Sequence, residues 1–106
     1  VYATYAGGAT SVLFDSRTAA DPIVGGLFDM TLDAAGRSVI AYLDAVSSVR
    51  YARWQPGAQT WTSYLAAAAT ANERWDHPSI ALDDAGKVRI AFQNARTRDL
   101  FVWTEP

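Results

Sequence analysis

Leu32-Asp33-Ala34-Ala35-Gly36-Arg37 returns fifty residues later as Leu82-Asp83-Asp84-Ala85-Gly86-Lys87. The echo runs on through Ile40-Ala41-Tyr42 against Ile90-Ala91-Phe92, with Ala45 against Ala95. A period near 50 built from strand-like segments predicts a stacked or radial array of small sheets. Met30 to Leu32 and Val39 to Asp44 flank the first copy of the motif, and Ser79 to Leu82 and Val88 to Asn94 flank the second. Each set reads as a hairpin, because the leading Asp bonds the turn backbone and the closing Gly accepts the left-handed conformation without strain. Gly36 and Gly86 are therefore both expected at positive φ.

A third strand follows in each unit, Val49 to Trp54 and Leu100 to Thr104, and in the first unit a fourth across Thr60 to Leu65 after the Gln55-Pro56-Gly57-Ala58 turn. Tyr2-Ala3-Thr4-Tyr5 matches Tyr51-Ala52-Arg53-Trp54, and Gly8-Ala9 matches Gly57-Ala58, so the chain both starts and ends on a third strand. The reading is one segment, 1–106, with repeats at approximately 1–48 and 49–98 and an extra strand over 99–106. The second strand of each hairpin is apolar on both faces, which predicts strands sandwiched between other sheets. Leu65 to Ala71 holds four consecutive alanines and has helical propensity. Its counterpart, Ser16 to Leu27, carries Pro22 and Gly25-Gly26, so both stretches are read as connecting loops.

Composition sets bounds on function. The chain has 106 residues, half of them apolar, a net charge of −2 and no cysteine. That is enough apolar surface for a folded domain. Arg and Lys are scattered among acids, so the electrostatic footprint of a nucleic-acid binder is missing. The lack of cysteine removes disulfides, thiolate nucleophiles and Cys-containing zinc sites, and leaves compartment open. No run approaches the roughly 18 apolar residues of a membrane span. Val1 to Tyr5 carry no basic flank followed by an apolar core, so the numbered chain reads as beginning after processing or as a cut fragment.

The pattern apolar-Leu-Asp-x-x-Gly-x-x-x-Ile-Ala-Tyr-x-Asp, then Val-Arg-Tyr-Ala-Arg-Trp, a Gly turn and a Trp, resembles the repeat of bacterial β-propeller proteins of cell surfaces and secreted multi-repeat chains. The resemblance covers nearly the whole chain. It implies an all-β fold of about two four-stranded antiparallel propeller blades. Closed propellers have roughly four to eight blades, so the ring must be completed by homo-oligomerisation or by a longer parent chain. Three members of that group compete. Sialidase Asp-boxes read Ser/Thr-x-Asp-x-Gly-x-x-aromatic; Thr31-Leu32-Asp33 begins such a box, but Gly36 comes one residue late and no sialidase residue carries over. Short two-blade lectins, which trimerise to six blades and bind sugars through Arg, Glu and Trp, are similar in length. A piece of a longer repeat protein is the third. The resemblance implies non-catalytic glycan binding by a secreted or surface protein, with a structural or protein-interaction scaffold as the alternative and a glycosidase-type hydrolase third.

The candidate ligand residues are Glu73, Arg74, Trp75, His77, Arg53, Trp54 and Trp61. An indole face packs on the apolar face of a pyranose, which nominates the tryptophans; those at strand positions, Trp54 and Trp61, are expected to pack between sheets instead. Trp75 is read as lying in a loop among Asn72, Glu73, Arg74, Asp76 and His77, the polar and aromatic mixture a binding loop needs. His77 is the sole histidine, so no two-His metal site and no independent Ser-His-Asp set is available. It precedes Pro78, which predicts an extended backbone there. Asp83-Asp84 lacks the alternating ligand spacing of calcium loops, and Asp83 is read as the turn opener that Asp33 is. Arg50, Arg89, Arg96 and Arg98, like Arg53, fall at strand and turn positions expected to be solvated. No cofactor or metal, no nucleic acid and no membrane insertion is expected.

Overall fold

A computed structural model describes residues 2–5, 10–13 and 27–106. Those residues form nine strands and no helix. β1 (Tyr2–Tyr5) pairs with β2 (Thr10–Leu13). β3 (Phe28–Leu32), β4 (Ser38–Leu43), β5 (Val49–Gln55) and β6 (Thr60–Ala67) make a four-stranded sheet. β7 (Trp75–Leu82), β8 (Val88–Asn94) and β9 (Leu100–Thr104) make a three-stranded one. Every pairing is antiparallel and every sheet is ordered as the chain runs, so the protein is all-β. The Gly8-Ala9 turn and the Ser16 to Leu27 connection, apart from Leu27, lie outside the described residues.

The repeat in sequence is a repeat in hydrogen bonding. Asp33 Oδ1 accepts from the backbone N–H of Ala35 and Arg37 at 2.9 and 2.8 Å, and Asp83 Oδ1 accepts from Ala85 and Lys87 at 2.9 Å each. Gly36 and Gly86 close these turns at φ 78° and 79°, and each donates its N–H to the carbonyl of the opening Asp at 2.9 Å. A second pair of turns shares the same device but not the same length, the turn after Asn94 being one residue longer than the turn after Asp44. Asp44 Oδ1 accepts from Val46 and Ser48, Asn94 Oδ1 accepts from Arg96 and Thr97, and the left-handed residue is Ser47 (φ 66°) in one and Arg98 (φ 68°) in the other. A carboxylate or amide oxygen that captures two turn N–H groups offsets the strain of a non-glycine residue there. The turns then impose the same register in both sheets, Met30 opposite Ile40 and Ile80 opposite Ile90.

The two larger sheets pack face to face. Val39, Ala41 and Leu43 of β4 and Val49 and Tyr51 of β5 meet Ile80 of β7 and Val88, Ile90 and Phe92 of β8 in one buried cluster. At its margin Asp29 of β3 reaches across, and its Oδ2 accepts from the Ile80 N–H at 2.9 Å. The opposite face of the first sheet holds a second cluster of Ile40, Tyr42, Ala52, Trp54 and Trp61. β4 is thus buried on both faces, as the sequence predicts. β8 is not: Val88, Ile90, Phe92 and Asn94 are inside while Arg89 is exposed and Ala91 and Gln93 are half-buried. The polar replacements of Val39 by Arg89 and Leu43 by Gln93 at equivalent positions are the reason.

Two stretches differ from the sequence reading. β6 runs past Leu65 to Ala67, so Ala66 and Ala67 are neither loop nor helix but strand, with Leu65 and Ala67 pairing with Arg50 and Val49 through a bulge. Ladder hydrogen bonds, and packing of Ala66 and Ala67 on the core, override alanine's helix preference. β7 begins at Trp75, so Trp75, Asp76 and His77 belong to a strand; a register shift falls between Asp76 and Ser79. His77 there has φ 50° rather than an extended backbone, because it is the extra residue of the bulge.

No side-chain or backbone atom stands within 4 Å of a Cβ built on Gly36 or Gly86, so substitution there meets only backbone strain. Gly36→Ala and Gly86→Ala are each expected to lower stability by about 1–2 kcal/mol. Gly57 has equal room and no positive φ, so Gly57→Ala is expected to be neutral or slightly stabilising. Urea denaturation of the three variants checks the contrast.

Candidate functional site

The residues nominated from sequence fall into two groups that the fold keeps apart. Arg53, Trp54 and Trp61 lie on β5 and β6; Glu73, Arg74, Trp75 and His77 lie on the approach to β7 and its first residues. Trp54 and Trp61 face each other across the β5–β6 pair, ring centroids 5.4 Å apart and nearly edge-on, and both are buried. They are core, as expected of strand tryptophans.

Trp75 is core as well, which corrects its placement in a surface loop. Its ring meets Phe92 at 5.0 Å and Phe101 at 5.1 Å, both edge-on, and its indole N–H donates to the Ala68 carbonyl at 3.0 Å. Its backbone N–H donates to the Ser47 carbonyl at 3.1 Å, tying the start of β7 to the first sheet. Strand parity explains why the sequence conceals this. Counting back by twos from Ile80 and Pro78 puts Asp76 inside and Trp75 outside. The bulge at His77 adds one residue and reverses the assignment, leaving Trp75 buried and Asp76 half-buried. His77 is exposed; its Nδ1 lies 3.1 Å from the Asp76 carboxylate and 3.2 Å from the Gln93 amide.

Of the seven, Arg74 lines an open cleft of about 300 Å³ with Ala71, Asn72, Ala95 and Arg96, and Arg53 and Trp54 line a smaller one of about 190 Å³ beside Asp33 and Arg37. The backbone of Arg74 is held, since its carbonyl accepts from the Ala95 N–H at 2.8 Å, and Arg96 is held by the Asn94 turn. Neither the Arg74 nor the Arg96 guanidinium is in an ion pair among the described residues. The larger cleft therefore presents two exposed cations and an amide from fixed backbone, which suits hydrogen bonding to an oxygen-rich or anionic ligand. Glu73 is exposed beside it, its N–H donating to Thr70 Oγ1 at 3.0 Å in the turn before β7. Arg96 was not nominated from sequence. The signal for it was the Asp44 and Asn94 equivalence, which places Arg96 in a turn.

Glu105, also missed, joins three partners that lie far from it in the sequence. Its Oε2 accepts from the Tyr51 hydroxyl at 2.7 Å, and its Oε1 accepts from Arg53 Nη2 at 3.0 Å and from the Val88 N–H at 3.1 Å. Arg53 is thus bound into a clamp between sheets. Burial acts to raise the Glu105 carboxyl, but the hydrogen bonds from Tyr51 and Val88 and the charge of Arg53 outweigh it and hold the group below its ordinary value. Burial, and then donation to Glu105, push the Tyr51 phenol up. The backbone N–H groups of Arg37 and Lys87 are the largest influences that lower Asp33 and Asp83. Among the described residues, no group of three or more His, Asp or Glu side chains is placed to hold a metal ion.

No family model, curated protein or solved structure matches this chain.

Two substitutions test the assignment of these groups. Trp75→Ala is expected to cost about 3–5 kcal/mol by opening a cavity, seen as a large fall in melting temperature; an unchanged melt removes Trp75 from the core. Glu105→Gln is expected to lower stability at pH 7 by about 1–2 kcal/mol. Because the folded carboxyl sits below its unfolded value, the stabilisation is present above the unfolded pKa and is lost as pH falls through the folded one. Urea melts from pH 7 to pH 3 should show the gap between wild type and variant closing towards acid. A gap constant with pH rules out an ionised Glu105 in the clamp.

Proposed function

We propose that this chain is a β-propeller-type repeat module whose role is to assemble with other sheets, a non-catalytic structural and protein-interaction scaffold. The observation that carries the reading is a contrast between equivalent positions. Val49 and Tyr51 on β5 are 0% and 4% exposed, whereas Leu100 and Val102, which hold the same register places on β9, are 75% and 64% exposed. An apolar face that is covered in one sheet is open in the next. Large side chains left in solvent on a contiguous strand mark an interaction surface. Sheets that follow one another as meanders, and stack through β3, β4 and β7, support a radial arrangement of blades.

Glycan binding is the second reading, and the cleft of Asn72, Arg74 and Arg96 favours it. Burial of Trp54, Trp61 and Trp75 takes away the stacking platforms, so sugar recognition there relies on charge and hydrogen bonds, which suits an acidic glycan.

A head-to-tail tandem duplication of the chain is expected to melt several degrees above the single chain, because each new interface in a repeat stack adds stability. Two copies that melt at the single chain's temperature overturn the scaffold reading. A glycan array with a signal that Arg74→Ala and Arg96→Ala abolish would put the second reading first.

A further inference from the structure

The arginines divide into two groups by what their side chains meet. Arg37, Arg50, Arg53 and Arg89 lie against the carboxylates of Asp33, Asp44, Glu105 and Asp83, at 2.8, 2.9, 3.0 and 3.5 Å. Arg74, Arg96 and Arg98 are exposed, and among the described residues none of their guanidinium groups is in an ion pair or a hydrogen bond. All three stand at one end of the three-stranded sheet, where the Ala95 N–H donates to the Arg74 carbonyl at 2.8 Å and holds the Asn94 turn against the segment entering β7. Arg74 and Arg96 share the larger cleft with Asn72, and the side chains of Ala71 and Ala95 are too short to fill it. The turn itself does not call for a cation, since Val46 holds the place of Arg96 after Asp44 and is 58% exposed there. Of the acids in these two segments, Asp76 lies against His77 and Asp99 accepts from the Thr97 hydroxyl at 2.9 Å, while the exposed Glu73 does not line the cleft.

We infer that the cleft between the entry to β7 and the Asn94 turn binds a phosphate group, free or carried as a monoester on a small polar molecule. This rests on the second reading above, that the cleft takes a ligand, and names the charged group of that ligand. A carboxylate is satisfied by one guanidinium fork and would leave the second cation unpaired. A phosphate monoester carries about two negative charges at pH 7 and three strong acceptor oxygens, enough for both forks, and the Asn72 amide supplies a further donor. The bond from Ala95 to Arg74 fixes the two backbones relative to each other, so binding has only the two side chains left to order. Because both cations are exposed and screened, affinity for the free ion is expected on the order of millimolar.

Chemical-shift titration of the whole chain with sodium phosphate, set against sodium chloride at equal ionic strength, tests it. Phosphate is expected to move the amide signals of Asn72 to Arg74 and Ala95 to Thr97 to saturation, and sodium acetate to bind about tenfold more weakly. Arg74→Gln and Arg96→Gln should each weaken phosphate binding about tenfold, and the double variant should abolish it. Arg89→Gln, at an arginine already paired, should leave it unchanged. These side chains are exposed, so melting should stay near wild type; Arg74→Lys and Arg96→Lys, which keep the charge and lose the fork, replace a glutamine variant that fails to fold and should weaken binding too. Glycerol phosphate binding more tightly than inorganic phosphate makes the ester the ligand, and equal affinity makes it the free ion. Shifts that chloride reproduces, acetate binding as tightly as phosphate, or a double variant that still binds phosphate overturns the inference. A glycan-array signal that Arg74→Ala abolishes, without phosphate binding, leaves the glycan reading standing and sinks this one; phosphate binding with a silent array does the reverse.

Discussion

The contact between the four-stranded and three-stranded sheets is the constraint from which the rest of the structure follows. Val39, Val49, Val88 and Ile90, the largest wholly buried side chains, all lie in it. Each contributes roughly 1.5–3 kcal/mol by leaving water. That gain exists only in one register, because a slip of one residue would turn every inward side chain outward. The Asp-x-x-Gly turns matter for that reason: they fix the register of β3 with β4 and of β7 with β8. Polar ties then close the margins, Asp29 onto Ile80 at one strand pair and Glu105 onto Tyr51, Arg53 and Val88 at another.

Trp75 shows how a single backbone irregularity moves a residue between functional classes. Its sequence neighbours are polar, and simple alternation puts it in solvent. One extra residue at His77, held in the left-handed region with its N–H on Asp76 Oδ1, turns the indole into the core between Phe92 and Phe101. The chemistry at this end of the molecule then passes to residues that were not the obvious candidates, Asn72, Arg74 and Arg96. They come together because Ala95 donates to the Arg74 carbonyl, which brings the Asn94 turn against the entry to β7.

Divergence between the two repeats is where function is to be sought. The two Asp-x-x-Gly turns share their hydrogen bonds residue for residue, whereas the turn after Asn94 is one residue longer than the turn after Asp44. The faces differ. Replacing Val39 and Leu43 by Arg89 and Gln93 while keeping alanine at the centre and apolar residues on β9 produces a face that is apolar within and polar at the rim, the anatomy of an interface between separable partners.

The sequence by itself determined the all-β class, the hairpins, the third strands and the positive φ of Gly36 and Gly86. Each of these depends on local chemistry: an Asp that bonds its own turn, a Gly that tolerates the left-handed region, and alternating apolar residues. Only the tertiary structure decided that Ala66 and Ala67 are strand, that Trp75 is core, that Arg53 serves a clamp with Glu105, and that β8 is covered on one face. Those outcomes turn on partners far along the chain. Val49 and Arg50 pair with the alanine run, Asn94 and Gln93 pair across the bulge, and Glu105 reaches Arg53 through a contact between sheets, so no window of neighbouring residues contains the deciding energy.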